Sequence, residues 1–322
     1  MTAVPVVAAA SPRRRARLPR PGAAGRRRSR AATRGGWRIT PWLFLGVPLA
    51  LLITFTYVPV ANMVAYSFTD WNGVSKVKEP VGLANYVEFF TRPELFRVFF
   101  VSLYYLAASV IQMALALYFA TILSFSTRFK SLFKGVLFFP YLINGVAVSF
   151  VFLFFFQPGG TLDSVLGLFG APQESLPQWL GNPDIINFSL AGTSVWRYMG
   201  LNFVLFLGAI QSIPAGIYEA AELDGATRWH QFRYIIAPSI RPIISLSFIL
   251  AVSGSLAVFE IPFIMTDGAN GSTTFVIQTV KLAFENNKVG LASAMAVVLL
   301  LIILLLTWLQ RLLVPEEEVD LA

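Results

Sequence analysis

The chain has 322 residues, of which 56% are hydrophobic and only 13% charged, and its mean hydropathy is +0.66. Soluble globular chains carry roughly 25% charged residues, so this composition excludes a soluble enzyme, a disordered chain and a disulfide-stapled secreted domain. The net charge of +8 is local: eleven arginines and no acid lie within residues 1–40, and the remainder is slightly acidic.

There is no cysteine, and His230 is the single histidine. Thiolate chemistry is therefore excluded, and no metal site or catalytic centre is expected. Residues 1–40 are rich in Arg, Ala and Pro without apolar periodicity, which predicts a disordered tail. Its expected role is to hold the N-terminus inside and to meet anionic lipid headgroups. A nucleic-acid-binding arm or a transit peptide has a similar composition; lipid, not nucleic acid, is the expected partner.

Six apolar runs follow, each long enough for a transmembrane helix of about 18 residues or more. They lie between Arg38 and Asp70, Arg97 and Arg128, Lys134 and Asp163, Arg197 and Glu219, Arg241 and Glu260, and Lys288 and Arg311. The fourth extends back towards Phe188. The short alternating segments of a β-barrel are absent, and helices satisfy every backbone group within lipid. The fold class is therefore an all-α membrane protein of six transmembrane helices. Asn144 and Gly145, after Pro140, mark an expected kink in the third. Lys and Arg concentrate in residues 1–40, 126–134 and 212–241, with Arg311 at the end of the last run, whereas residues 157–187 contain neither. Both termini are accordingly expected on the cytoplasmic side.

The connection between the fourth and fifth runs, residues 213–242, is far longer than the usual 4–6 residues. Pro214 can open a helix, and Tyr218, Ala221, Glu222 and Gly225 recur at helical spacing. A second short helix is predicted over Thr227–Ile236, with Thr227 as N-cap and Trp229, Phe232 and Ile236 on one face. The two helices bend at Asp224-Gly225. Such bulky apolar residues need a cover, which a partner protein would supply. A solvated linker, or Trp229 and Phe232 resting at the membrane interface, are the plainer alternatives.

This stretch resembles the permease subunits of bacterial ATP-binding-cassette importers, carbohydrate (maltose-type) branch. The family signature is EAA, three residues, Gly, nine residues, then Ile-x-Leu-Pro. Here it reads Glu219-Ala220-Ala221, Gly225 and Ile235-Ile236-Ala237-Pro238, with Ala237 in place of Leu. Asp224 and Ala226 complete the DGA of the sugar branch. Weaker similarities are Gly82-Leu83-Ala84-Asn85-Tyr86, Phe259-Glu260, Thr266-Asp267-Gly268 with Ser272-Thr273, and Ala292-Ser293-Ala294.

The resemblance implies a six-helix permease domain over residues 41–313, a cytoplasmic coupling-helix loop between helices 4 and 5, and a separate acidic tail over 314–322. It further implies a pair of ATP-binding-cassette ATPase subunits, a second permease forming a heterodimer, and an extracytoplasmic solute-binding protein that delivers a di- or oligosaccharide. By motif position Glu219, Ala220, Ala221, Asp224, Gly225, Ala226 and Phe232 would meet the ATPase. ATP and Mg would sit on those partners, because this chain has no G-x-x-x-x-G-K-[ST] and no Gly-Lys dipeptide. The implied location is the bacterial inner membrane, and the implied role is transport, not catalysis.

Arg197 and Glu260 sit within or beside apolar runs of opposite direction, which puts both in the outer half of the membrane, where they can pair. They are expected to face the translocation cavity or its outer gate. Alternatively the fourth helix starts after Arg197, which then snorkels to the headgroups. Trp196, Tyr198 and Asn202 add the aromatic faces and polar groups that a sugar would use. A self-contained secondary transporter would show internal repeats, and none is evident between residues 41–156 and 188–313. An intramembrane enzyme would need a motif such as G-x-S-x-G or H-E-x-x-H, and neither occurs. The same scaffold carrying a phosphodiester or polyamine stays open, since the solute rests on analogy.

Overall fold

The fold is that of a computed structural model describing residues 40–125 and 130–313. The arginine-rich tail, the acidic tail and residues 126–129 lie outside the described residues. Contacts divide the chain at Tyr57 into two units. The first contains α1 (Thr40–Leu52) and a π-helical turn, Ile53–Tyr57.

The second unit opens with α2 (Val58–Tyr66), α3 (Ala84–Thr91), α4 (Pro93–Arg97) and α5 (Val101–Ser124). Then come α6 (Lys130–Leu142), α7 (Gly145–Phe156), α8 (Thr161–Leu168) and the long α9 (Ile186–Gln211). Three short helices, α10 (Ala215–Leu223), α11 (Arg228–Gln231) and α12 (Ala237–Ser239), lead to α13 (Arg241–Leu256). The chain continues through α14 (Glu260–Thr266), α15 (Phe275–Phe284) and α16 (Val289–Leu313). Among the described residues there is no strand, only an isolated bridge between Thr69 and Pro80.

Phe44–Tyr66, Pro93–Ser124, Arg241–Thr266 and Val289–Leu312 are each long and apolar enough to cross a bilayer. Two bent pairs raise the count to six if each is one span. The third expected run differs most from a simple helix, because α6 and α7 meet at 96°. Pro140 near the end of α6 has no N–H to continue the ladder. The Asn144 side chain then accepts from Val146 N at 2.8 Å and starts α7 as its N-cap. The expected kink is a complete break. In the second pair, α9 and α10 meet at 71°. With 26 residues, α9 reaches about 39 Å, long enough to span a bilayer, although it meets the apolarity of a span only together with α10.

Three apolar clusters hold the second unit together. In the first, the small Ala116 and Ala120 of α5 are fully buried and let α9 approach closely. Phe203, Phe206 and Ile210 of α9 fill that contact, and Ile236 and Ile240 from the α10–α13 connection enter the same cluster. In the second, Phe89 of α3 and Phe275 of α15 meet edge to face at 5.9 Å, beside Met295 of α16. The third joins Tyr105 of α5, Phe156 of α7, Leu190 of α9 and Ile261 of α14.

Asn85 shows what a weak motif match does physically. Its buried amide donates to the carbonyls of Ser67 at 2.9 Å and Thr69 at 3.0 Å, tying the end of α2 to α3. Asn85→Ala strands both carbonyls and is expected to cost about 1–3 kcal/mol. Thermal unfolding of the detergent-solubilised chain should show a lower midpoint, with faster proteolysis within residues 67–82.

Candidate coupling loop and membrane cavity

The connection from α9 to α13 is built by recognisable local rules. Pro214 caps α10 with φ −57° and ψ 135°. The helix ends in a Schellman motif: Ala226 N donates to Ala221 O at 2.9 Å and Gly225 N to Glu222 O at 3.0 Å. Gly225 takes the left-handed conformation this motif needs, at φ +78°. The spacing from Ala221 to Gly225 and Ala226 is therefore the spacing of a helix stop. Thr227 then caps α11, its hydroxyl accepting from His230 N, while the His230 ring accepts from Thr227 N.

The second predicted helix is composite. After α11 the chain makes a π-helical turn, Phe232–Ile236, before α12. The face carrying Trp229, Phe232 and Ile236 is inclined: Trp229 is exposed, Phe232 half-buried and Ile236 buried. Trp229 stacks on Phe232 at 5.6 Å. Gln231, Ile236 and Ile240 anchor the connection in the protein, and partial burial pushes the Tyr218 phenol up.

The remainder faces outward. Glu219, Ala220, Asp224 and Gly225 are exposed, whereas Ala221 and Ala226 are half-buried. Leu223, which sequence reasoning passed over, is 90% exposed at the tip beside Gly225. Only its place between Glu222 and Asp224, off the inward face of α10, hinted at this.

A second feature lies inside the bundle. A cavity of about 480 Å³ is lined by residues of α5, α9, α13 and α14, including Gln112, Tyr198, Asn202, Ser247 and Glu260. The hydroxyls of Tyr105 and Ser247 have no hydrogen-bond partner among the described residues, and both residues line it. Tyr198, Asn202 and Glu260 thus share one cavity. Trp196 goes elsewhere, packing edge to face on Phe152 at 5.2 Å.

Arg197 stands well inside α9, and its Nη1 donates to Glu260 Oε2 at 2.6 Å. The two side chains are 13% and 39% exposed. Arg197 Nε is buried without a partner among the described residues. Glu260 occupies the first turn of α14, just after the chain unwinds at the end of α13. Gly145, the first residue of α7, closes the arrangement: a Cβ there would collide with Glu260 Oε2 and Arg197 Nη1. The break in the third run therefore seats a glycine against an ion pair joining α9 and α14. The sequence reading marked Gly145 as a kink only, because nothing local shows what lies across from it.

Residues 112–318 match the family described as "Binding-protein-dependent transport system inner membrane component". The chain belongs to this family. The match takes in the loop, the ion pair and the cavity residues from Gln112 onward. Among similar proteins, the probable ABC transporter permease protein YurN of Bacillus subtilis (strain 168) is 32% identical over 85% of this chain and 95% of its own length. The multiple sugar-binding transport system permease protein MsmF of Streptococcus mutans is 32% identical over 84% of this chain and 93% of its own. A solved bacterial ABC transporter involved in import of the acidic polysaccharide alginate has a chain that superposes with a TM-score of 0.73. It is 19% identical, covering 86% of this chain and 97% of that one. That likeness is one of fold.

Proposed function

We propose that this permease is one half of the membrane pore of an ATP-driven importer in the bacterial cytoplasmic membrane, translocating a di- or oligosaccharide that an external binding protein delivers. Relatives support the solute class. They are named for multiple sugars, starch degradation products, diacetylchitobiose and lactose. One relative is named for osmoprotective compounds, which favours a small polar non-sugar solute as the second reading.

The exposed Schellman-ended α10 carries the mechanical part of the proposal. Its outward residues, Glu219, Ala220, Asp224 and Gly225, with Ala221, Ala226 and Phe232 behind them, form the contact for a separate ATPase subunit. The anchors Ile236 and Ile240 share a cluster with α5 and α9, so a push on the loop reaches two cavity-lining helices. Tyr198, Asn202 and Glu260 would meet the solute, with Arg197 holding Glu260. Trp196 stands behind them against Phe152. Both termini lie inside, the arginine tail meets anionic lipid, residues 41–313 form the permease domain, and a related permease completes the pore.

The test is purification of the tagged chain from its own membrane in mild detergent, with the associated subunits identified and counted. The expected result is two ATPase subunits and one second permease per chain. A chain recovered with no ATPase would overturn the proposal.

A further inference from the structure

The charge of the cavity distinguishes between classes of sugar. Among its lining residues Glu260 alone carries a charge, and no lysine, arginine or histidine is among them. The rest are hydroxyls, amides, aromatic rings and aliphatic groups, including Gln112, Asn202, Ser247 and Tyr198. Arg197 neutralises part of this charge through its ion pair with Glu260 but offers the solute no cation of its own. Its side chain is the more buried of the pair and is absent from the lining, while the Glu260 carboxylate is 39% exposed and is part of it. Gly145 on the other side leaves room for the pair to sit close.

We propose that Glu260, held by Arg197, makes this permease select uncharged sugars and reject acidic ones at the cavity itself. The proposal rests on the sugar-importer reading. The physical reason is desolvation. A uronate leaving water needs a cation or a set of N–H donors in return, and this cavity presents a carboxylate. Like charges in a low-dielectric site repel far more strongly than in water. A neutral sugar meets the opposite situation, because its hydroxyls donate to a carboxylate in charge-assisted bonds. One carboxylate thus supplies both the attraction and the repulsion that specificity requires. The fold is shared with an importer of an acidic polysaccharide, so the backbone does not decide the matter and the lining residues do.

The experiment uses the whole importer, with its ATPase and partner permease, in lipid nanodiscs without a binding protein, so that no upstream selection intervenes. Saturation-transfer NMR is recorded with maltose, cellobiose and lactose, and with counterparts whose non-reducing ring carries a C6 carboxylate. With wild type, at least one neutral disaccharide should show contact, and its uronate should bind at least about tenfold more weakly. Glu260→Gln should narrow that gap to about threefold or less. The double variant Arg197→Gln with Glu260→Gln should do the same, and it guards against misfolding caused by a stranded arginine. Equal binding of neutral sugar and uronate in wild type would overturn the proposal while leaving the sugar reading intact. A gap that persists in both variants would overturn the role of Glu260. No contact from any sugar would overturn the sugar reading and this proposal together.

Discussion

Gly225→Trp is expected to abolish recovery of the ATPase with this permease, whereas Gly225→Ala should retain most of it. The two substitutions share one defect and differ in another. Any L-residue at φ +78° carries a left-handed backbone cost of about 1–2 kcal/mol. Within the chain no atom lies within 4 Å of a Cβ placed there, so neither side chain clashes internally. Alanine therefore adds mainly backbone strain, and the Schellman bonds from Gly225 N and Ala226 N can persist. Tryptophan adds the same strain and fills the space in front of an exposed helix end. If that space belongs to a partner subunit, ATPase recovery and sugar uptake should fall more than about tenfold with Trp and less than about threefold with Ala. Equal recovery with Trp and wild type, at matched membrane abundance, would remove the loop tip from the contact. Equal loss with both would assign the effect to backbone conformation.

The Arg197–Glu260 pair should respond asymmetrically to substitution. Breaking a buried pair by removing one partner costs about 3–5 kcal/mol, because the other charge is left without compensation. Arg197 is the more buried side chain, while Glu260 reaches the cavity and can hydrate when unpaired. Glu260→Gln should therefore cost more than Arg197→Gln, with about 3–5 kcal/mol as the ceiling for so partly buried a pair. The double substitution should recover much of the loss, since two neutral groups replace a stranded cation. Gly145→Ala should act like a single break without touching either charge, because its methyl would displace Glu260 Oε2 and Arg197 Nη1. Thermal unfolding midpoints of the wild type and the four variants in one detergent test the order. A double variant no more stable than Glu260→Gln, or an unaffected Gly145→Ala, would show that the pair is not coupled in this way.

Much of the fold was legible because lipid imposes a simple requirement. Runs without charge must become helices, since only hydrogen bonding within the segment satisfies the backbone there. The positions of the candidate spans followed from that. The loop was legible for a different reason: capping and stopping are local. Pro214, Gly225 and Thr227 act on atoms within five residues of themselves, so their spacing announces two helices and a bend. What lay beyond local reach was less clear. The 96° break at Leu142–Gly145 read only as a kink, because the packing that stabilises so large a turn comes from distant helices.

The sequence by itself determined the class of the protein, the number and order of its apolar runs, the shape of the α9–α13 connection and the residue types available for a solute. Charge, apolar periodicity and capping chemistry are written residue by residue, so these features need no third dimension. Tertiary structure decided which of those residues meet. It placed Gly145, Arg197 and Glu260 together from α7, α9 and α14, turned Trp196 towards Phe152, and put Tyr198, Asn202 and Glu260 on one cavity. It also sank Ile236 and Ile240 into the same cluster as α5 and α9 while leaving Leu223 exposed. The reason is that helices in a bilayer gain little from burying one apolar face instead of another, lipid being as apolar as leucine. Their rotation and pairing are then set by close packing of small residues and by a few polar contacts, whose partners lie tens of residues apart in the chain.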